Sequence, residues 1–385
     1  MPSLKDDFLL DPSIHFLNHG SFGATPKPVF YEYQRWQREL ENQPVEFLGR
    51  RHNTLMAESR AVLANYLGTR AENVVYTQNA TIALNIVARS LELGPRDEVL
   101  STDHEYGAID RTWRFLSKEH KFTYINQKIS IPLTNKDRWV QEFWSGVTPR
   151  TKVIFLSHIT SSTAILFPVE EIICRAREAG IITVIDGAHA PGQIPLALDS
   201  LGADFYAGNL HKWLCAPKGA GFLYAQPDMQ HSLKPLVVSW GYESETPSCS
   251  IFIDHHEWWG TRDIAAFLSV PAAIEFQEKH SWDKVRVECH ELACDAQKRI
   301  CSLTGLPPLH SDPDLWFRQM VSLPLPADTD IDKLKERLYN QYRIEVPLID
   351  WNGYKLIRVS IQGYNTSDDV DALVHALQKV YFSQK

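Results

Sequence analysis

The chain has 385 residues, of which 44% are hydrophobic and 22% are charged, as in an ordinary globular protein with a large core. Its formal net charge of −8 gives no basic footprint, so neither nucleic acid nor an anionic membrane is an expected partner. The sequence lacks a run of about 18 apolar residues and the basic-then-apolar layout of a secretory signal, which predicts a cytoplasmic protein without a membrane span.

The cysteines show no Cys-x-x-Cys spacing, and a chain of this length needs no disulfide cross-links for stability. We therefore expect structural thiols and no metal site. None of them lies after position 301, which bears on the chemistry considered below. The six are Cys174, Cys215, Cys249, Cys289, Cys294 and Cys301.

The first polar motif is a glycine-flanked turn, Asn18-His19-Gly20-Ser21, which follows a short apolar stretch. Proline positions then predict a helix from about residue 26 to residue 40, a break at Pro44 and a second helix over residues 53–67. On its residues alone, the turn is as well explained by an N-terminal anchor as by a functional site.

A candidate anion site follows the predicted strand 73–77. Asn79-Ala80-Thr81 leads from this strand into a helix, and the first turn of a helix offers free backbone N–H groups and the positive end of its dipole. Thr81 adds a hydroxyl donor. The same residues also suit a simple helix N-cap, so both interpretations stay open at this stage.

Further predicted strands cover residues 98–102 and 152–158, and a helix is predicted from Pro168 to about residue 179. Alternating strands and helices from residue 73 to residue 224 predict a mostly parallel sheet with helices on both faces. The Gly-x-Gly-x-x-Gly fingerprint does not occur at a strand–helix junction, which disfavours a dinucleotide-binding fold.

Two motifs in the second half of this region indicate a cofactor. An apolar strand over residues 182–185 ends in Asp186, where α/β proteins place ligands, and a buried carboxylate there requires a cation. Lys212 lies in a loop between apolar strands, flanked by His211 and Trp213, where a lysine readily loses its proton and becomes a nucleophile. Pyridoxal phosphate uses such an aspartate at its pyridine nitrogen and such a lysine for covalent attachment.

The remainder of the chain predicts a smaller α+β unit. Its predicted elements are a long helix over 266–303, a strand over 316–323, a helix over 331–342, strands over 343–347 and 356–361, and a helix from Ser367. Arg358 stands in the middle of the last apolar strand, where a guanidinium requires an anionic partner. Its bidentate fork suits a carboxylate ligand, and a structural ion pair is the alternative.

Asp186, His189 and the pair His211-Lys212 resemble the site pattern of the class V aminotransferase family, and the resemblance extends from Asn18 to Asn365. It is closest to the isopenicillin N epimerase-like branch. The resemblance implies a large domain with a mostly parallel seven-stranded sheet between helices and a smaller α+β C-terminal domain. The implied bounds are 1–20 for an N-terminal segment that packs on the small domain, 21–263 for the large cofactor-binding domain and 264–385 for the small domain.

The resemblance also implies roles for individual residues. Lys212 carries pyridoxal 5'-phosphate and moves the α-proton of the substrate, Asp186 keeps the pyridine nitrogen protonated, and His189 stands where relatives place a glutamine against the phenolic oxygen. Tyr106 stacks on the ring, or His104 does if the strand ends are aligned instead. Further cofactor contacts are expected from Ala80, Thr81, Ser161, Asn209 and His211, and substrate contacts from Asn18, His19 and Arg358.

The tripeptide Trp259-Gly260-Thr261 resembles the contact through which a neighbouring subunit of the family reaches the cofactor's phosphate. Thr261 therefore predicts a homodimer with shared active sites, with a simple helix cap as the alternative. Ser161 and Ala164 stand where the desulfurase branch carries asparagine and glycine. That departure, together with the absence of any cysteine after Cys301, disfavours a protein persulfide.

The expected reaction begins with loss of the α-proton from a small amino-acid substrate. Return of a proton to the opposite face gives epimerisation, loss of a β-substituent gives a lyase, and protonation of the cofactor carbon gives transamination. We expect an epimerase or a C–S (β-elimination) lyase, with a class V aminotransferase as the alternative. A catalytically idle protein that binds pyridoxal phosphate in a regulatory role is a third, weaker interpretation.

Overall fold

The computed structural model of the chain describes residues 4–248 and 250–382. Its strands are β1 (His15–Phe16), β2 (Val74–Thr77), β3 (Glu98–Thr102), β4 (Thr123–Gln127), β5 (Thr151–Ser157), β6 (Ile182–Gly187), β7 (Phe205–Asn209), β8 (Gly221–Ala225), β9 (Met320–Leu325), β10 (Ile344–Glu345), β11 (Leu348–Trp351) and β12 (Tyr354–Ser360).

Helices cover both faces of the larger sheet and flank the smaller one. They are α1 (His19–Phe22), α2 (Lys27–Asn42), α3 (His52–Tyr66), α4 (Ala80–Ser90), α5 (Gly107–His120), α6 (Lys136–Trp144), α7 (Val169–Glu178), α8 (Leu198–Leu201), α9 (Ile251–Glu257), α10 (Ala265–Leu268), α11 (Val270–Lys279), α12 (Trp282–Thr304), α13 (Pro313–Trp316), α14 (Ile331–Tyr342) and α15 (Ser367–Phe382).

The central sheet has seven strands in the order β2-β8-β7-β6-β5-β3-β4. Its neighbouring strands are parallel except where β8 pairs antiparallel with β2 and β7. The inner strands are rich in valine and isoleucine and are buried on both faces, as expected of strands that lie between two helical layers. The predicted seven-stranded, mostly parallel sheet is confirmed.

The register of the sheet places several polar positions at one edge. Ser157 at the end of β5 pairs with Asp186 on β6, and Asp186 in turn pairs with Ala207 on β7. Asn209 ends β7 just before the lysine loop. Because the carboxyl ends of parallel strands meet at the same edge, these residues and the start of α4 converge there.

The smaller unit contains the antiparallel sheet β11-β12-β9, against which α12 packs. The N-terminal segment joins this unit, because β1 pairs in parallel with β10 and the N–H of Leu4 donates to the carbonyl of Gly363 at 3.0 Å. Asn18 also forms a bridge with Ser360. This pairing is compatible with the predicted N-terminal segment, and the exact domain bounds remain a prediction.

Some of the predicted elements are wrong in detail. The long helix over 266–303 is three helices, because the hydroxyl of Ser269 bonds the carbonyl of Ala265 at the end of α10 and Ser281 adopts a left-handed conformation with φ 51° before α12. The strand expected from Trp316 begins only at Met320, because residues 313–316 form α13. Strands β4 and β11 and helix α9 were not predicted, since their short polar or mixed sequences lack a clear period.

Within residues 4–248 and 250–382, no helix combines the length and the apolar character that crossing a bilayer requires. The thiols in that part of the chain are unpaired, and they are Cys174, Cys215, Cys289, Cys294 and Cys301. Cys249, the remaining predicted structural thiol, lies outside the described residues.

Candidate active site

A cavity of about 220 Å³ opens at the carboxyl edge of the central sheet. It brings together nine residues that the sequence singled out, namely Ala80, Thr81, Tyr106, Ser161, Asp186, His189, Asn209, His211 and Lys212. Six further lining residues were not predicted as ligands, namely Ser21, Phe22, Asn79, Ser157, Ile159 and Ala188. Residues from six separate stretches of the chain therefore form one site.

Asp186 supplies a buried carboxylate at the floor of the cavity. One of its oxygens accepts the backbone N–H of Ala188 at 2.9 Å, and burial raises the pKa of Asp186 above its usual value while nearby Lys212 opposes that rise. In the described part of the chain no basic side chain lies within ion-pair distance of it. A cationic group entering the cavity would stabilise the ionised form, which is the fit expected of a protonated pyridine nitrogen.

Lys212 reaches the same cavity from the loop after β7. Its Nζ lies 3.1 Å from Nε2 of His189, which is buried. Burial, with a contribution from Arg358, lowers the pKa of Lys212 to about 7, so that much of it is a free amine near neutrality. Burial and the proximity of Lys212 also hold the pKa of His189 well below its usual value, so its ring is neutral.

The N-terminus of α4 closes another side of the cavity. The side chain of Asn79 caps the helix by accepting the N–H of Ile82 at 3.0 Å, and Oδ1 of Asn209 accepts the N–H of Ala80 at 2.9 Å. Thr81 lies between these two fixed groups and lines the cavity. Asn79 therefore acts as the N-cap that the sequence allowed, and the helix end that it fixes also faces the site, as an anion-binding terminus does.

His211 lies in the cavity wall beside this helix end. Its Nδ1 donates to the carbonyl oxygen of Ala220 at 3.1 Å, since a carbonyl can only accept. Burial, and then Lys212, lowers the pKa of His211 to about 4. An anion bound next to Nε2 would favour the protonated ring, so its predicted contact with a phosphate group remains chemically reasonable and remains a prediction.

The two aromatic candidates for ring stacking occupy different places. Tyr106 lines the cavity and is 45% exposed. His104 is fully buried away from the cavity wall, where Nδ1 lies 2.8 Å from the hydroxyl of Thr163 and the ring packs against Trp351. Only Tyr106 of these two lines the cavity, so its position suits ring stacking, and the stacking role itself stays a prediction.

Arg358 is buried directly behind Ser21 and Ser161, which line the cavity, and is not itself one of the lining residues. Its Nη1 donates to the carbonyl oxygen of Ser161 at 2.7 Å and its Nη2 donates to Oγ of Ser21 at 2.9 Å. Nε has no hydrogen-bond partner in the described part of the chain. None of the three guanidinium nitrogens forms an ion pair with a carboxylate there. The structural ion pair considered from the sequence is therefore not found among those residues, which leaves the guanidinium available to an anionic ligand.

The structure places the predicted substrate ligands Asn18 and His19 behind the cavity wall. Asn18 accepts the hydroxyl of Ser21 and donates to Glu345 at 2.9 Å. His19 is fully buried, and its Nε2 lies 3.0 Å from the carbonyl oxygen of Lys212. Both residues hold neighbours that line the cavity, and neither lines it itself. Their predicted contact with substrate stays a prediction.

Thr261 lies at the surface, apart from the cavity of its own chain. It precedes Arg262, whose Nη2 donates to the carbonyl oxygen of Glu257. An exposed position is what a contact with a neighbouring subunit requires, and the shared site remains a prediction.

Sequence reasoning missed several cavity residues for identifiable reasons. Ser21 and Phe22 belong to the same turn as Asn18 and His19, and the turn motif alone does not show which of its side chains line the cavity. The tightness of this turn depends on Gly23, which has φ 70° and whose missing Cβ would lie 1.9 Å from the carbonyl oxygen of His211. Ser157 ends its strand without any motif, and only the sheet register shows that it reaches the site.

The comparisons with known proteins agree with this geometry. A family model described as Aminotransferase class-V matches residues 20–373. The chain is 35% identical to an isopenicillin N epimerase of Amycolatopsis lactamdurans, over 98% of this chain and 97% of that protein. It is 29% identical to a putative L-cysteine desulfhydrase of Oryza sativa subsp. japonica, over 94% of this chain and 82% of the relative. A solved structure of C-DES with glycine covalently linked to its cofactor matches with a TM-score of 0.84 and 22% identity, covering 98% and 99% of the two chains.

The fold and the site define a pyridoxal-phosphate enzyme of fold type I. Over nearly its whole length, the chain belongs to the class V aminotransferase family. Its cofactor is pyridoxal 5'-phosphate, and the residues present fit that group: Asp186 offers a buried carboxylate with no ion-pair partner in the described part of the chain, Lys212 an amine of lowered pKa and the start of α4 an anion site. The two relatives named above are an isopenicillin N epimerase and a putative L-cysteine desulfhydrase, and the chain is an enzyme of the class V aminotransferase family.

Proposed function

We propose that this enzyme removes the α-proton of a small α-amino acid, with Lys212 as the base and Arg358 as the carboxylate ligand. The proposal is carried by one arrangement: Lys212, whose pKa is lowered, lies 3.1 Å from the neutral ring of His189, and both line the same cavity as the buried carboxylate of Asp186, which has no ion-pair partner among the described residues. When bound, pyridoxal phosphate supplies the electron sink that makes such a proton acidic.

Each side chain has a separate task in this proposal. Asp186 stabilises positive charge at the pyridine nitrogen, and the helix end at Thr81, together with His211, binds the phosphate group. Tyr106, which lines the cavity, would pack against the ring of the bound cofactor and restrict its tilt. Lys212, whose pKa of about 7 matches neutral conditions, accepts the proton from Cα and can return it.

The substrate class follows from Arg358. A buried guanidinium with two donors already fixed by Ser161 and Ser21 presents a defined fork, and its planar geometry matches a carboxylate. Burial lowers the pKa of Arg358 to about 10, and an anionic substrate group would remove that penalty. We therefore propose that the substrate is an amino acid with a free α-carboxylate.

Two outcomes remain after the α-proton is lost. Similarity to isopenicillin N epimerases favours return of the proton with inversion, and similarity to cysteine desulfhydrases favours elimination of a β-thiol group. The same cavity residues serve the first proton transfer of both reactions, and inversion requires in addition a proton donor on the opposite face of Cα. We propose epimerisation or C–S elimination in preference to transamination. A homodimer that shares its sites through Thr261, and a cytoplasmic location, belong to the same proposal.

The test is to incubate the purified enzyme with a panel of L- and D-amino acids in deuterium oxide and to follow loss of the Cα–H signal by NMR. Exchange in the wild type and its absence in Lys212→Ala support the proposed base. Exchange with inversion identifies an epimerase, and release of pyruvate with ammonia identifies a lyase. Formation of keto acid and aminated cofactor in equal amounts would identify a transaminase and would overturn the preference for epimerisation or elimination.

A further inference from the structure

Trp213 follows the lysine directly, is fully buried and takes no direct part in the chemistry described above. Its indole Nε1 lies 3.2 Å from Nδ1 of His189. An indole N–H can only donate, so Nδ1 of His189 must be the acceptor in this contact. The ring proton of a neutral His189 is then on Nε2, the nitrogen that lies 3.1 Å from Lys212 Nζ.

The surroundings keep His189 neutral, so its ring carries a single proton, and the contact from Trp213 leaves that proton on Nε2. Its ring is buried, and the groups that act on it electrostatically are Lys212, Arg358, His211 and His19, which are positive when charged. A proton on Nε2 can be donated to Lys212 only when Lys212 is a free amine, because an ammonium group has no lone pair. The contact from Trp213 therefore favours the uncharged lysine as well as a donor directed into the cavity.

The position of the indole is itself tightly held. Nε2 of Gln277 donates to the carbonyl oxygen of Trp213 at 2.9 Å, and the indole lies beside the ring of His19 with their centroids 5.0 Å apart. Gly192, with φ 89°, allows the backbone of this loop to approach, since a Cβ there would lie 2.2 Å from the same carbonyl oxygen. These contacts come from residues that do not line the cavity, and they fix the position of Trp213 and its indole N–H.

We propose that Trp213 is a positioning residue that fixes the Nε2–H tautomer of His189, so that His189 donates a hydrogen bond to the phenolic oxygen of the cofactor. This inference rests on the proposed function for the bound cofactor, and on the family resemblance for the oxygen that residue 189 faces. It explains how a histidine replaces an amide side chain in this role. An amide always presents an N–H group, whereas an imidazole presents one at a given position only if its tautomer is fixed.

The test compares Trp213→Phe with the wild-type holoenzyme. A hydrogen bond to the phenolic oxygen stabilises its anionic form, so weakening that bond raises the pH at which the visible absorbance band of the bound cofactor changes. We expect a rise of about half a pH unit to one unit, the size of one lost hydrogen bond. Trp139→Phe is the matched control, because Trp139 is equally buried and its indole N–H has no partner among the described residues.

A second pair of variants separates positioning from packing. Glutamine at position 189 cannot change tautomer, so Trp213→Phe should leave the pH midpoint unchanged in the His189→Gln background. An equal shift in that background, or no shift in Trp213→Phe alone, would overturn the inference. Histidine-selective nitrogen NMR of the chain stripped of cofactor gives the tautomer directly, with Nε2–H expected in the wild type and a mixture in Trp213→Phe. A protein that never develops the visible band contradicts the proposed function instead, and the NMR result still decides the tautomer.

Discussion

Nη1 of Arg358 lies 2.7 Å from the carbonyl oxygen of Ser161, although 197 residues separate them. Arg358 belongs to β12 of the small sheet and Ser161 to the loop after β5 of the large sheet. The hydrogen bond therefore connects the two sheets at the wall of the cavity. It also orients the guanidinium without neutralising it, since a carbonyl oxygen carries no full charge.

Arg358→Gln should therefore raise KM for amino-acid substrates by about 100-fold, with a smaller effect on kcat, because the contact with the carboxylate is made both before and during the reaction. Steady-state kinetics on a substrate found by the exchange screen checks this. Stability should fall by about 1–3 kcal/mol, because the variant also loses the hydrogen bonds to the carbonyl oxygen of Ser161 and the hydroxyl of Ser21. Arg343→Gln, an exposed arginine of the same domain, is the control. A KM unchanged in Arg358→Gln would contradict the assignment.

The depressed pKa of Lys212 gives a second prediction. Burial disfavours the ammonium form, so the amine becomes free as the pH rises through about 7. The rate at which pyridoxal phosphate attaches to the unloaded protein should rise about tenfold per pH unit below 7 and level off above about 8. Nα-acetyllysine, measured in parallel, should keep gaining rate toward pH 10 because its pKa is that of an ordinary lysine, about 10.4.

Two variants should move this profile in opposite directions. Arg358 lowers the pKa of Lys212 and Asp186 raises it. Arg358→Gln should therefore shift the rise to higher pH, and Asp186→Asn should shift it to lower pH. Shifts of the same sign would show that lost packing, and not charge, controls the pKa of Lys212.

Borohydride reduction followed by peptide mapping should place the label on Lys212, and a label on the exposed Lys218 would refute the site.

The parallel sheet and the chemistry of the cofactor could be predicted from sequence because both depend on local signals. Apolar strands end in Asp186 and Asn209, and the lysine motif lies in one continuous loop. The supporting contacts could not be predicted, because they join residues far apart in the chain. His19 holds the carbonyl of Lys212, and Trp213 holds His189, only once the sheets have formed. The same limit applies to the first turn, where the sequence predicts Asn18 and His19 as substrate ligands and the structure places Ser21 against Arg358.

A shared active site predicts complementation between two defective chains. Lys212→Ala lacks the base, and Thr261→Ala lacks the hydroxyl that is expected to reach the phosphate of the neighbouring subunit. A mixed dimer contains one site with both residues intact, so mixing the variants under subunit exchange should give activity above that of either parent. Sedimentation first establishes whether a dimer exists. Proven exchange without any gain in activity would contradict a site built from two subunits.

The last prediction concerns sulfur. If the substrate carries a β-thiol, elimination after loss of the α-proton releases the sulfur directly, and no protein thiol is needed to accept it. Burial raises the pKa of Cys215 to about 12 and that of Cys289 to about 12, so these thiols are poor nucleophiles at neutral pH. We expect sulfide in solution and no added mass on the protein when the enzyme turns over cysteine.

Intact mass spectrometry after thiol trapping measures this directly, with a cysteine desulfurase as the positive control. The exposed Cys174 and the partly buried Cys294 and Cys301 are the residues most open to adventitious oxidation, so a variant with serine at all three provides the matched background. If this variant turns over cysteine at the wild-type rate and its protein mass stays unmodified, the result agrees with direct elimination. Added sulfur that rises with turnover and disappears with one cysteine would instead show a persulfide carried by the protein.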